Sequence, residues 1–200
     1  MKVFVLAPRE NWICDRIYSE WCHHYSEYTT DNLTEANVLW LLAGWCWNHV
    51  PENILKEKKV VLTVHHLVPE KFDLTKRQEF VYRDQFVDVY HVPNRKTAYL
   101  VSQLTNKPIE IITYWYDEKT WFKEDKHDSR IDLDLPKNKF IIGSFQRDSE
   151  GNTGAPKLEK GPDLFCEFIE KISEKKDVFV LLGGWRRKYV ESRLINSSIE

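Results

Sequence analysis

The chain has 200 residues, 42% hydrophobic and 14% aromatic, enough to bury the core of one large α/β domain or of one domain and part of another. With 29 lysines and arginines against 31 acidic residues, the formal charge of −2 argues against a nucleic-acid binder, which carries a basic face. The longest apolar stretch, Val38 to Trp47, is broken by Gly44 and falls short of the roughly 20 residues that span a membrane.

In chain order, the start Met1-Lys-Val-Phe-Val-Leu-Ala-Pro8 has too short an apolar part and no convincing cleavage site for a signal peptide. It reads as a buried first strand, Lys2–Ala7. A helix rich in aromatics is expected from Asp15 to about Glu27, and a second strand over Asn37–Ala43, whose Trp and Leu content also suits a helix. Lys59–Val64, β-branched and bounded by charges, is the clearest buried strand. A helix from Thr75 to about Phe86 takes Thr75 as its cap, and one from Asn94 to Leu104 takes Asn94. Between and after them lie short strands at Asp88–Val92 and Pro108–Thr113. Alternation of this kind predicts a parallel sheet with helices on both faces.

The charged run Lys123-Glu-Asp-Lys-His-Asp-Ser-Arg130 has no apolar period and, closed by Pro136-Lys-Asn138, reads as a solvated loop linking two domains. The pattern then restarts with strand Lys139–Gly143, helix Pro162–Glu174, strand Asp177–Leu182 and a helix from Trp185 to Leu194. The expected division is a domain over 1–122, a linker over 123–138 and the beginning of a second domain over 139–200. Two strands and two helices are fewer than a doubly wound domain of about 100–150 residues needs.

Cys14, Cys22, Cys46 and Cys166 contain no Cys-x-x-Cys pair, which gives neither a zinc knuckle nor a redox motif. Cys22-His23-His24 are consecutive, and neighbours on a helix point apart, so they do not chelate one ion together. Reduced thiols in a cytoplasmic protein are the default reading.

Three constellations carry chemistry. The first is the loop after Phe140-Ile-Ile142, from Gly143 to Lys160, which holds Arg147, Lys157, Lys160 and several glycines and runs into a helix whose first residue is Pro162. Strand, loop and helix start deliver backbone N–H groups and a positive dipole end to an anion. Arg and Lys add a planar fork and a point charge, so a diphosphate is the expected ligand. The plain alternative is an exposed loop decorated with charges. The second is Thr63-Val-His-His66, where His65 and His66 follow a strand end, the ligand-binding edge of an open parallel sheet. There a histidine can bond a phosphate or hydroxyl, or move a proton, or can be purely structural. The third is the turn Ala7-Pro-Arg-Glu-Asn-Trp12, which lacks the glycines of a dinucleotide fingerprint yet places Arg9 and Asn11 at the same edge.

With these residues in view, the chain resembles the GT-B glycosyltransferases of family 4, which retain anomeric configuration and use nucleotide-sugar donors. Phe140-Ile-Ile-Gly-Ser-Phe-Gln-Arg-Asp-Ser-Glu-Gly151 through Lys160-Gly-Pro-Asp-Leu-Phe165 is similar to the family's first strand and loop of the donor domain. The resemblance implies that Arg147 and Lys160 grip the donor diphosphate, with Gly143 and Ser144 lining the loop. It implies that Gly183 and Gly184, in Val178-Phe-Val-Leu-Leu-Gly-Gly184, lie beside the nucleotide. Thr63-Val-His65 is similar to the family's Thr-x-His segment, which makes His65 the catalytic-side residue reaching the donor sugar or acceptor, with Arg9, Asn11 and His66 on the acceptor side. Ile111 to Phe122 resembles the closing segment of the acceptor domain.

Departures accompany it. Pro8-Arg9-Glu10 stands where the family often has paired glycines, the loop between Arg147 and Lys160 is longer than usual, and no Glu pair at the family's Glu-x₇-Glu spacing follows a suitable serine-rich strand. The expected fold is therefore α/β and GT-B-like, with a parallel-sheet N-terminal domain and an incomplete second Rossmann-like domain. The implied function is sugar transfer from a nucleotide-diphosphate-sugar donor to a glycan or lipid-linked acceptor. Side-chain cations replace a metal, so neither metal nor cofactor is expected, and nucleic acid is not a partner. The alternatives are an inactive glycan-binding module, or one subunit of a split enzyme whose donor domain a second chain completes. A different doubly wound nucleotide-binding protein, such as an epimerase, is disfavoured by the missing glycine fingerprint.

Overall fold

Short β-branched and leucine-rich runs between polar segments become the strands of two parallel sheets. The computed structural model describes residues 1–151, 153–197 and 199. Two compact units, Met1–Asp117 and Glu118–Glu200, divide the chain.

In the first unit, β1 (Val3–Leu6), β2 (Val38–Leu41), β3 (Lys59–Thr63), β4 (Val89–Val92) and β5 (Ile109–Ile111) pair in that spatial order, all parallel. Between them run α1 (Ile13–His24), α2 (Glu52–Glu57), α3 (Leu74–Asp84) and α4 (Arg95–Ser102). Side chains alternate along a strand, so the register assigns each residue a face. Leu39, Leu41, Val60, Leu62, Tyr90 and Val92 share one face and pack with Leu55 of α2, Phe80 of α3 and Val101 of α4. Val3, Val5, Val38 and Trp40 share the other and pack with Cys14 and Ile17 of α1. Helices therefore cover both faces.

The strand order looks like simple addition, but one bridge shows a reversal. After α1 the chain passes the outer edge of β1, where Thr29 bridges Val3 in parallel and the Thr30 amide bonds the Val3 carbonyl at 3.1 Å. It then returns to lay β2 along the other edge of β1. The direction of winding thus switches at β1, and the carboxyl ends of β1 and β2 form the switch point where such sheets bind ligands.

In the second unit, β6 (Phe140–Ser144) and β7 (Val178–Leu182) pair in parallel. α5 (Lys126–Asp132) precedes them, α6 (Pro162–Ser173) joins them, and α7 (Lys188–Asn196) follows. Cys166 and Ile169 of α6 meet Val190 and Leu194 of α7, and Arg193 grips Glu170 with two hydrogen bonds of 2.9 and 2.8 Å.

Four local expectations are corrected. α1 begins at Ile13, because the Asp15 carboxylate accepts from the Trp12 amide at 3.1 Å and closes the first turn. α3 is capped by Asp73, which accepts from the Lys76 amide at 2.9 Å, and Thr75 lies inside the helix. The charged run after Lys123 contains α5, capped by Asp125, and its Arg130 donates to the carbonyls of Pro136, Lys137 and Lys139. The last helix starts at Lys188 because Gly184 and Arg186, with φ of 86° and 58°, hold the preceding turn in left-handed backbone. The short helix α2 carried too few residues to show a helical period. Asn94 caps α4 as expected, accepting from the Thr97 amide at 2.9 Å.

All four cysteines are free thiols, and among the described residues no helix is long and apolar enough to cross a membrane. Leu62, on the central strand and fully buried, sets a test of the first unit's core. Leu62→Ala is expected to cost about 2–5 kcal/mol, read as a lower urea midpoint for that unit with an unchanged transition slope.

Candidate functional site

The carboxyl ends of the strands collect the chemistry in each unit. In the first unit, β1 runs into Arg9 and Asn11, both exposed and both with left-handed backbone at φ 55° and 58°. Non-glycine residues seldom adopt that conformation, and it marks the loop as strained. β3 leads to His65, half-buried, and to His66, exposed.

Both ring nitrogens of His65 are engaged. Nε2 lies 2.6 Å from the Leu42 carbonyl, which only accepts, so Nε2 carries the proton. Nδ1 then accepts from the Tyr114 hydroxyl at 2.5 Å. The buried Cys14 thiol sits 3.2 Å from Nε2. Burial pushes that thiol up to about 11 and the Tyr114 hydroxyl up to about 12, and it holds the His65 pKa below the usual histidine value. His65 is thus a neutral imidazole tying the loop after β2 to the segment after β5.

A second buried chain reinforces the first. Trp40 Nε1 donates to Thr63 Oγ1 at 2.9 Å, Thr63 Oγ1 meets His91 Nδ1 at 3.0 Å, and His91 Nε2 meets the Ile112 carbonyl at 2.9 Å. Burial lowers the His91 pKa as well. Trp115 completes the strap, donating to Glu20 at 2.5 Å while its carbonyl accepts from Arg16 at 2.9 Å. Residues 112–115 are therefore bound across the sheet end by three independent anchors. Trp45 and Tyr114 leave exposed ring area near His65, with centroids 6.4 and 5.8 Å from its ring.

In the second unit, the loop between β6 and α6 is built on an ion pair. Asp148 and Arg187 are 2% and 4% exposed in their side chains, with Arg187 Nε 3.4 Å from Asp148 Oδ2. Arg187 also donates to Ser144 Oγ at 2.8 Å, joining the end of β6 to the start of α7. Asp148 Oδ1 and Ser149 Oγ take the Tyr189 amide at 3.3 and 3.0 Å, capping α7. The loop then doubles back, with Ser149 bridging Pro156.

This closure decides which cations are available. Gln146 Nε2 donates to the Lys160 carbonyl at 2.7 Å, which ties the side chain next to Arg147 to the backbone just before α6. Lys157, which the sequence grouped with them, is taken up instead: its ammonium lies 2.6 Å from Glu159 and 3.5 Å from Glu150 and is mostly buried. Ser144 is the ion pair's partner. Gly143 and Gly183 face the ring of Phe145, and Gly184 forms the left-handed turn after β7.

Two open depressions on this unit lie elsewhere. One, at the amino ends of the strands, is lined by Lys139, Lys176 and Asp177, and the other flanks α7 at Gly154, Lys188 and Arg193. Among the described residues no three His, Cys, Asp or Glu side chains are grouped to hold a metal ion.

Sequence reasoning missed Tyr114, Cys14, Asp148, Phe145 and Arg187 as site residues. Asp148 and Arg187 are far apart in the chain and share no period. Phe145, an aromatic residue two positions after Gly143 at the start of a polar loop, was the one readable signal.

No protein-family model matches the chain, and no curated protein matches it in sequence. In fold it is similar to the crystal structure of Anabaena HepE in complex with UDP and glucose, at TM-score 0.75 and 12% identity over 99% of this chain and 66% of that one. It is also similar to HepE in complex with UDP-glucose, at TM-score 0.60 and 12% identity over 96% of this chain and 71% of that one. The fold is GT-B-like. The chain spans just under two thirds of the length of the first HepE chain.

Two expectations follow from the geometry. His65 and His91 have native pKa values below their unfolded ones, so their contribution is complete above the unfolded value of about 6.5 and is lost as the pH falls through the native values. Urea midpoints of the first unit should fall progressively below about pH 6.5, before most carboxylates titrate. Arg187→Met leaves the buried Asp148 carboxylate unpaired and should destabilise the second unit by about 3–5 kcal/mol, measured by denaturant unfolding.

Proposed function

We propose that this chain is a glycosyltransferase, or the corresponding portion of one, that uses a nucleotide-diphosphate sugar. The β6–α6 loop of the second unit is its donor-diphosphate site, with Arg147 and Lys160 as the binding cations and Gly183 and Gly184 near the nucleotide. Arg9, Asn11, His65 and His66 belong to the acceptor side of the first unit, and the acceptor is a glycan or lipid-linked sugar. The mechanism is that of the retaining family 4 enzymes.

One observation supports this reading: the Gln146 side chain donates to the Lys160 carbonyl at 2.7 Å, tying the residue next to Arg147 to the residue two before the 12-residue helix α6. Heterolysis of the anomeric C–O bond leaves charge on the departing diphosphate. Two cations and a helix dipole would stabilise charge that develops at that place. The GT-B-like fold shared with HepE, which was crystallised with UDP and with UDP-glucose, supports a uridine nucleotide as the first donor to test.

A second reading is a glycan-binding module without turnover. It is favoured by His65, whose ring nitrogens are both spent on Leu42 and Tyr114. Donor hydrolysis or transfer separates the two readings, because a binding module performs neither.

Arg147→Ala combined with Lys160→Ala is expected to abolish calorimetric binding of UDP while leaving the unfolding transition in place, since neither residue belongs to the buried ion pair. Unchanged affinity in the double variant would remove this site from consideration.

A further inference from the structure

The close approach that glycine permits at the ends of β6 and β7 is made by a side chain of the protein itself. A Cβ on Gly143 would stand 2.7 Å from Cε2 and 2.8 Å from Cζ of Phe145. A Cβ on Gly183 would stand 2.6 Å from Cδ1 and 3.2 Å from Cε1 of the same ring. These atoms lie on opposite edges of the ring, so it spans both strand ends, close to the backbone of each glycine. Any other residue at either glycine would push the ring away.

The rest of the ring is open. Phe145 is 70% exposed, and among the described residues no cation or aromatic ring lies over it. Trp185, also exposed, differs: the Arg186 guanidinium stands 4.3 Å from its ring centroid. A solvent-facing phenyl ring stabilises nothing by exposure, but a ring seated over two glycines and open to solvent offers a stacking surface. It precedes Gln146, whose side chain closes the loop on Lys160, and it lies two residues before Arg147.

We infer that Phe145 is the stacking platform for the nucleobase of a nucleoside diphosphate whose phosphates are held by Arg147 and Lys160. The inference rests on the proposed function and adds the residue that reads the nucleoside part of the ligand. Base–aromatic stacking tolerates any base, because each has a π face. The platform therefore supplies affinity for the nucleoside, and the choice among bases is made by other groups. Gly143 and Gly183 become positioning residues, acting through the ring.

The test is calorimetry with UDP and with inorganic pyrophosphate on the wild-type chain and on Phe145→Ala, Phe145→Leu and Phe145→Tyr. The Ala and Leu variants should each weaken UDP about ten-fold and leave pyrophosphate unchanged, while Tyr keeps both. Leu retains apolar bulk, so its loss reports the missing π face rather than a collapsed loop. Gly183→Ala should reproduce the loss of UDP affinity, and adding Phe145→Ala to it should cost nothing further, because both changes remove the same surface. Equal UDP affinity in all variants, tighter UDP binding once the ring is gone, or a matching loss for pyrophosphate would overturn the platform. A wild-type chain that binds neither UDP nor pyrophosphate would overturn the diphosphate site itself, whereas silent ring variants of a chain that does bind would overturn the stacking alone.

Discussion

Parallel pairing is the constraint from which the rest follows. Parallel strands need long crossovers, and every crossover returns the chain to the same starting edge, so all carboxyl ends emerge together. In the first unit this gathers the loops after β1, β2, β3 and β5, and in the second it brings Gly143 and Gly183, two residues apart in register, under one ring. Residues far apart in sequence, such as Cys14, Leu42, His65 and Tyr114, meet because the sheet register places their loops at one edge. The chemistry of each unit is a consequence of strand direction before it is a matter of side chains.

The two edges are stiffened in different ways. The first unit uses neutral hydrogen-bonded chains through His65 and His91, whose buried imidazoles each serve one donor and one acceptor. Such a network is fully satisfied only in one tautomer, which makes it specific as well as stable. The second unit uses a buried ion pair, Asp148–Arg187, in which Asp148 Oδ2 and Arg187 Nε and one further guanidinium nitrogen make no hydrogen bond. A pair of that kind offers little net stability but is costly to break, and it specifies one loop path. That path consumes Lys157 on two glutamates and leaves Arg147 and Lys160 at the loop ends.

Strain follows much of the same geography. Among the described residues, four that are not glycine hold left-handed backbone: Arg9, Asn11 and Arg186 lie in loops leaving the carboxyl end of a strand, and Asp134 follows α5. The conformations persist because packed neighbours over-determine them: Asp15 closes the turn after Asn11, and the Arg186 carbonyl accepts the amides of Asp148 and Ser149. At the strand ends, that left-handed backbone is the counterpart of the side-chain clustering there.

By itself the sequence determined the strands, the approximate course of the longer helices and the Asn94 cap, because periodicity and turn chemistry are local properties. It also singled out the β6–α6 loop, since glycines, cations and a helix start fall together there. Tertiary structure alone decided which cations remain available and what the glycines are for. Lys157 pairs with Glu150 and Glu159, Arg187 finds Asp148 across 39 positions, and Phe145 fills the space above two glycines on different strands. The winding reversal at β1 was hidden for the same reason, as it rests on a single bridge at Thr29. Charge pairing and close approach depend on distances through space, and a linear chain carries no record of those until its strands are set in register.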